Sequence, residues 1–265
     1  MKKAETKEPT TIAVGDGPAI PRGDDWGLVT AWWIALIGVI ALLCLLPVIK
    51  PDPYRAILKV VPSGALITFK VTLASIGLAL VIGLLTGLGR ISRNRAVNLT
   101  ASLYVEVVRG IPLLVQLFYI YFALGRIVRL PDISAAIIAM AFCYGAYMGE
   151  VFRAGIKSID RGQIEASRSL GFNHLQTMRY IILPQAWRTI LPPVGNEFIA
   201  LLKDSSLVSI LAVSDILRCG REYAAKTFNY FETYTVVALV YLLITLLLSK
   251  AIGIMEHRLS YYERR

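Results

Sequence analysis

Residues 28–49 carry no charged side chain, and residues 71–89 form a second uncharged run bounded by Lys70 and Arg90. A helix crossing the hydrocarbon core needs about 20 mostly apolar residues, because lipid offers backbone N–H and C=O groups no partner outside their own segment. Four further stretches meet or approach that length. Residues 99–124 carry Glu106 and Arg109 one turn apart, with Pro112 as a kink point. Residues 133–149 are rich in Ala, Gly and aromatics and run straight into Glu150. Residues 184–202 hold Arg188, Pro192, Pro193 and Glu197, so this segment must be buried in protein or line a cavity rather than face lipid. Residues 233–254 close the set. The fold class expected is an all-α membrane protein with six transmembrane helices.

Composition agrees: 56% of the 265 residues are apolar, 17% are charged, and the mean hydropathy is +0.61. The net charge of +10 is scattered between apolar runs, with no basic patch interleaved with aromatics, which argues for membrane lipid and against nucleic acid as a partner. Residues 1–27 are too polar to offset their ordering entropy and are expected to form a disordered cytoplasmic tail, with a second cytoplasmic tail at 258–265. The first apolar run lies far behind the initial lysines and is long enough to span, so it is expected to stay as a membrane anchor. Placing the N-terminus inside puts Arg90, Arg93, Arg95, Lys157, Arg161, Arg168, Arg179, Arg258, Arg264 and Arg265 in the cytoplasm and leaves Lys50, Arg55, Lys59, Arg126, Arg129, Arg218, Arg221 and Lys226 on the other side, a bias that favours this orientation. Cys44, Cys143 and Cys219 lie far apart without metal or redox spacing, and His174 and His257 are too distant to form a dyad.

One stretch fits neither lipid nor solvent. Residues 158–183 read as helix, turn, helix: good helix formers through residue 170, Gly171 to end the first arm, and Asn173 with Gln176 to cap the second. Pro184 is expected to push Leu183 toward an extended backbone at the entry to the next helix. The spacing Glu165-Ala166-Ser167, Gly171, then Ile181-Ile182-Leu183-Pro184 resembles the EAA loop of the permease subunits of ABC importers, with Ser167 in place of the third small residue. "VEVVRGIPLLVQLFYIYF", "AYMGEVFRAGIKSIDRGQIEA" and "NEFIALLKDSSLVSI" resemble the polar amino-acid branch of that family, the histidine, arginine and glutamine type.

The resemblance implies a permease transmembrane domain over 62–257, its core formed by the last five helices with the coupling hairpin 158–183 on the cytoplasmic side. It leaves 28–49 as an extra N-terminal helix. It implies a multi-pass subunit of a bacterial cytoplasmic (inner) membrane, with both termini inside. The partners implied are a cytoplasmic ABC ATPase dimer, a second permease subunit, identical or paralogous, and an extracytoplasmic amino-acid-binding protein. The chain holds no Gly-rich run ending in Gly-Lys-Ser or Gly-Lys-Thr, so ATP and Mg are expected on the partner ATPase and no cofactor on this chain. The function implied is ATP-driven amino-acid import, and not an enzymatic activity of this chain. A carrier or channel without an ATPase is the alternative.

Carried over from the family, ATPase coupling falls on Arg161, Glu165, Ala166, Ser167, Leu170 and Gly171. Glu165 and Arg161, four apart on one helix face, can pair with each other or with partner charges. Charged and polar residues within or just beyond the spans are candidates for the substrate pathway: Gln116, Glu150, Glu197, Lys203, Asp204, Ser205 and Ser206. Glu150 with Arg153 fits a structural ion pair as well as a pathway role. Glu197, Lys203 and Asp204 fit either a gate for a zwitterion, which needs both charges answered, or a packing network. Arg109 and the aromatics Phe118, Tyr119, Tyr121 and Phe122 read as structural.

Overall fold

A computed structural model describes residues 25–127 and 130–261 and contains, among them, helices and no strand. The chain runs through α1 (Asp25–Ile49), α2 (Pro51–Val60), α3 (Ala65–Ile91), α4 (Arg95–Gly110), α5 (Leu113–Ile127) and α6 (Asp132–Lys157). It continues with α7 (Arg161–Ser169), α8 (His174–Thr177), α9 (Leu183–Asp204), α10 (Ile216–Thr227) and α11 (Tyr230–Tyr261). The tail expected over 1–27 lies outside the described residues as far as 24, and α1 already begins at Asp25. At the other end, residues 258–261 continue α11, so that the expected tail starts as helix.

The core is the pair α3 and α6. Ser75 Oγ donates to the Ile137 carbonyl at 3.3 Å, Gly145 faces Ile82, and Gly87 faces Phe152, so the two helices run in the same direction. Without a hydrophobic drive between helices in lipid, contact area and close approach decide packing, which is why small residues line this interface. At Gly87 a Cβ would fall 2.7 Å from that of Phe152, and nothing larger than glycine fits there. Residues Val71, Ala79, Ala136, Ala139, Met140, Met148 and Phe152 fill the seam and are fully or almost fully buried.

Between these parallel helices the chain must return, and it does so through a break. α4 and α5 meet at 109° around Ile111 and Pro112, sharper than the kinked single helix the sequence suggested for 99–124. Proline has no N–H to give to the preceding turn, so the carbonyls at the end of α4 need another donor. Gln116 supplies it: its Nε2 donates to Val108 O at 2.6 Å and Ile111 O at 2.7 Å.

Among the described residues four segments can cross a membrane by length and composition: Ala31–Ile49, Pro51–Ile91, Asp132–Lys157 and Tyr230–Leu259, with a fifth if the bent α4–α5 pair counts as one. The expected count of six is therefore not reached on those grounds. α9 is a 22-residue helix, but Gln185, Arg188, Asn196 and Glu197 keep it outside the set; it buries Ala186, Ile190, Leu201 and Leu202 against the bundle.

At the Ala65 end of α3, a cap is built from α2 and α10. The Asp215 carboxylate accepts from the amides of Arg218 at 2.9 Å and Leu217 at 3.3 Å, starting α10, and from Tyr241 Oη of α11 at 3.2 Å. Burial pushes the Asp215 carboxyl above the usual range, and the two amides work against that rise. Ile216 N donates to Thr68 Oγ1 at 3.2 Å, tying the cap to α3. α2 packs Tyr54, Ile57 and the adjoining Val61 against Ile216, Val236 and Val237, so the packed bundle includes residues ahead of 62.

Candidate functional site

The hairpin sits at the Lys157 end of α6, opposite the cap. Asp160 opens α7 by accepting from Gly162 N at 2.6 Å, and Gly171 ends it with φ of +83°, a left-handed conformation that costs a side chain strain. Asn173 and Gln176 form the expected reciprocal cap, each bond at 2.9 Å. The second arm differs from expectation. Leu183 is helical, not extended, because residues Met178–Ile182 form a π-helical turn in which Leu183 N reaches Met178 O. That wider turn absorbs the missing N–H of Pro184, and α8, the π turn and α9 make one unbroken rod from His174 to Asp204.

Of the six residues assigned to the hairpin's outer surface, five are exposed: Arg161, Glu165, Ala166, Leu170 and Gly171, with Leu170 at 76%. A leucine that bare, next to Leu175 at 75%, leaves an apolar tip on a rigid turn. Ser167 is turned inward. Its hydroxyl donates to Ile164 O at 2.8 Å and meets Thr177 Oγ1 at 2.9 Å, clasping the two arms. Thr177 was not singled out by sequence, although the capping box fixes its position one residue past Gln176. Arg161 and Glu165 form no ion pair with each other among the described residues and point to solvent.

Glu150 is taken up by arginines. Its carboxylate accepts from Arg153 Nε at 2.9 Å, with further short contacts to Arg153 Nη2 and Arg90 Nη1, and Arg90 also reaches Glu106 at 3.3 Å. This network ties α3, α4 and α6 together at the hairpin end, and both carboxylate oxygens of Glu150 are engaged by arginines. Gln116 is committed as well: both amide contacts go to the α4 break, and Cys143 Sγ lies 2.9 Å from its Oε1. Ser205 is fully buried and bonds its own turn at Leu202 O, 2.7 Å away. Lys203 is exposed and Ser206 half-buried, with no side-chain hydrogen bond among the described contacts.

What remains is a polar cluster between α4, α6 and α9. Tyr144 Oη donates to Asp204 Oδ2 at 2.7 Å, and the Tyr144 and Tyr147 rings lie 5.7 Å apart. The Arg109 guanidinium sits 5.4 Å above the Tyr147 ring, and the Glu197 carboxylate feels both Arg109 and Asp204. Glu197 and Asp204 were expected to belong together. Arg109, Tyr144 and Tyr147 were not, since their proximity depends on how three helices cross. The set offers one cation, two carboxylates and two phenol groups, which is the chemistry needed to hold an ammonium and a carboxylate at once.

Comparison with known proteins agrees with this architecture. Residues 79–261 match the family described as "Binding-protein-dependent transport system inner membrane component". The chain is 38% identical over 200 residues to the glutamine transport system permease protein GlnP of Escherichia coli strain K12, covering 74% of this chain and 91% of that protein. It is 38% identical over 198 residues to the probable amino-acid permease protein YxeN of Bacillus subtilis strain 168, covering 73% and 88%. Among solved structures, a chain of an amino acid ABC transporter with histidines superposes with a TM-score of 0.72 at 41% identity, over 76% of this chain and 94% of that one. A chain of the MetNI methionine ABC transporter in an inward-facing form has a TM-score of 0.67 at 21% identity, which speaks for the fold alone. The match over 79–261, together with relatives covered over most of their own length, places this chain in the family of inner-membrane components of binding-protein-dependent transport systems.

Proposed function

We propose that this chain is the transmembrane subunit of an ATP-driven amino-acid importer, lining the route through the bacterial cytoplasmic membrane beside a second, identical or paralogous, permease. The observation that carries this is the pre-capped, exposed hairpin, continuous through α8 with α9, in a chain similar to curated amino-acid permeases over about nine-tenths of their length. Arg161, Glu165, Ala166, Leu170 and Gly171 present the hairpin to a cytoplasmic ATPase, which holds ATP and Mg; Ser167 keeps the hairpin folded. The cap of α2 and α10 at the opposite end faces an extracytoplasmic amino-acid-binding protein. Both described termini lie at the hairpin end, in line with cytoplasmic N- and C-termini and with the basic residues gathered there. α9 acts as the sixth membrane helix, shielded from lipid by the bundle and by the second permease.

Movement of the hairpin is passed along the His174–Asp204 rod to Glu197 and Asp204, where the Arg109 and Tyr144 groups recognise the two charges of the amino acid. The test is uptake by the complex reconstituted with its ATPase and binding protein. A competition panel led by glutamine identifies the substrate. Gly171→Val strains the turn, and is expected to leave the protein in the membrane while uncoupling uptake from hydrolysis; unaltered uptake would count against the hairpin's role.

A further inference from the structure

On α1, residues Trp32, Leu36, Val39, Leu43 and Leu46 recur at alternating spacings of four and three, which keeps one seam of a helix against a neighbour, and Lys50, just past the helix end, continues the series. Leu36 and Val39 are buried, and Leu43 and Leu46 pack against the cluster that contains Val236 and Val240 of α11. Both ends of this seam are polar, and both are pinned to α11. At one end Trp32 Nε1 donates to the Leu246 carbonyl at 3.0 Å, and the Lys250 ammonium lies 5.1 Å from the Trp32 ring centre. At the other, Lys50 Nζ donates to Glu232 Oε1 at 2.8 Å.

Trp32 and Lys50 are eighteen residues apart, as are Glu232 and Lys250, so the helices run antiparallel. The pins are about 27 Å apart at 1.5 Å per residue, close to the ~30 Å depth of the hydrocarbon core. A helix that served only as an anchor would need neither pin. Ile34, Ile37, Ile40 and Leu45 already present apolar surface to lipid, and apolar faces alone do not drive helices together there.

α11 is also where the rod from the hairpin makes contact. Gly195 of α9 abuts Ile252 so closely that a Cβ would lie 3.0 Å from its side chain, so displacement of α9 reaches α11 directly. We propose that α1 is a stay for α11: Trp32 and Lys50 are positioning residues that make the two helices one rigid pair, so that a push arriving through α9 moves the pair instead of shearing α11 along its neighbours. This rests on the importer reading, and it concerns a helix that lies outside the matched region, which starts at residue 79.

The experiment measures ATP hydrolysed per molecule of radiolabelled glutamine imported, in proteoliposomes holding the full complex. Trp32→Phe keeps an aromatic ring for Lys250 while removing the N–H; the ratio is expected to rise about two- to twelvefold, the worth of one net hydrogen bond. Lys50→Glu is expected to raise it too, and Lys50→Glu with Glu232→Lys to restore it. Loss of folding alone would lower the amount of complex without changing the ratio. A second arm replaces the native cysteines by alanine, introduces Lys50→Cys with Glu232→Cys, and bridges the two thiols with a bifunctional thiol reagent about as long as the ion pair it replaces. The crosslink is expected to form with and without ATP and to bring the ratio down from that of the unlinked pair toward the wild-type value. Ratios unchanged in every single variant, a charge swap that fails to rescue, or a crosslink that stops import would each overturn the proposal while leaving the importer reading intact. A wild-type complex that hydrolyses ATP without importing any amino acid would overturn both.

Discussion

Replacing Ser167 by alanine, the residue that the resembled pattern carries at this place, should loosen the hairpin more than replacing its partner Thr177 by valine. The asymmetry follows from the direction of the bonds. Ser167 gives its proton to Ile164 O at 2.8 Å, so the 2.9 Å contact is donated by Thr177. Ser167→Ala therefore strands a hydroxyl donor on a residue only 2% exposed, at a cost of about 1–3 kcal/mol. Thr177→Val leaves Ser167 still bonded to Ile164, and costs about 0.5–1.5 kcal/mol. The double variant removes both hydroxyls and should cost less than the sum of the single changes. The assay is amide hydrogen exchange at Gly171 and Phe172, whose N–H groups bond Arg168 O at 2.9 Å and Ser167 O at 3.0 Å across the turn. Exchange in Ser167→Ala should accelerate about 5- to 150-fold, and in Thr177→Val by a smaller factor. Equal acceleration in the two single variants, or none in Ser167→Ala, would refute the assigned direction and the clasp with it.

Gln116→Leu removes both donors that satisfy the α4 break and should destabilise the purified protein by about 2–4 kcal/mol, read as a lower thermal midpoint in detergent. Glu150→Gln leaves Arg153 without its counter-charge and Arg90 with only Glu106, 3.3 Å away; a loss of about 1–3 kcal/mol is expected, partly recovered by adding Arg153→Met in a double-mutant cycle. Glu197→Gln should lower amino-acid uptake at least tenfold while leaving the amount of assembled complex unchanged, measured as initial rate per complex; near-normal rates would remove Glu197 from the pathway.

Local features were legible in the sequence because their cause is local. The uncharged runs place α1, α3, α6 and α11, Gly171 marks its own left-handed turn, and Asn173 and Gln176 cap each other across three residues. Partners distant in the chain were not legible. Glu150 finds Arg90 sixty residues away, so the ion pair that holds a residue inviting a pathway assignment could not be read from its neighbours in sequence. Gln116 looks like a polar group in a span, yet its role depends on the sharpness of the break before it, which Pro112 suggests without fixing an angle of 109°. Leu183 shows a rule overridden: the residue before proline avoids the helical region in isolation, but a π turn supplied another way to place the missing N–H. Tyr144 carries no mark in the sequence that distinguishes it from Tyr147 or Tyr119, and only the approach of α9 makes it the partner of Asp204.

The same-direction packing of α3 on α6 also bears on how the molecule is born. Ser75 and Ile137 are separated by 62 positions, so α3 enters the bilayer well before its mate has been synthesised. At about 5–20 residues per second, translation leaves that helix waiting roughly 3–12 seconds. During this interval its notch of Thr68, Thr72, Ser75 and Gly83 lies open to acyl chains or to whatever escort the insertion machinery provides. Maturation of this subunit thus hinges on shielding one half-finished surface until the ribosome delivers the other.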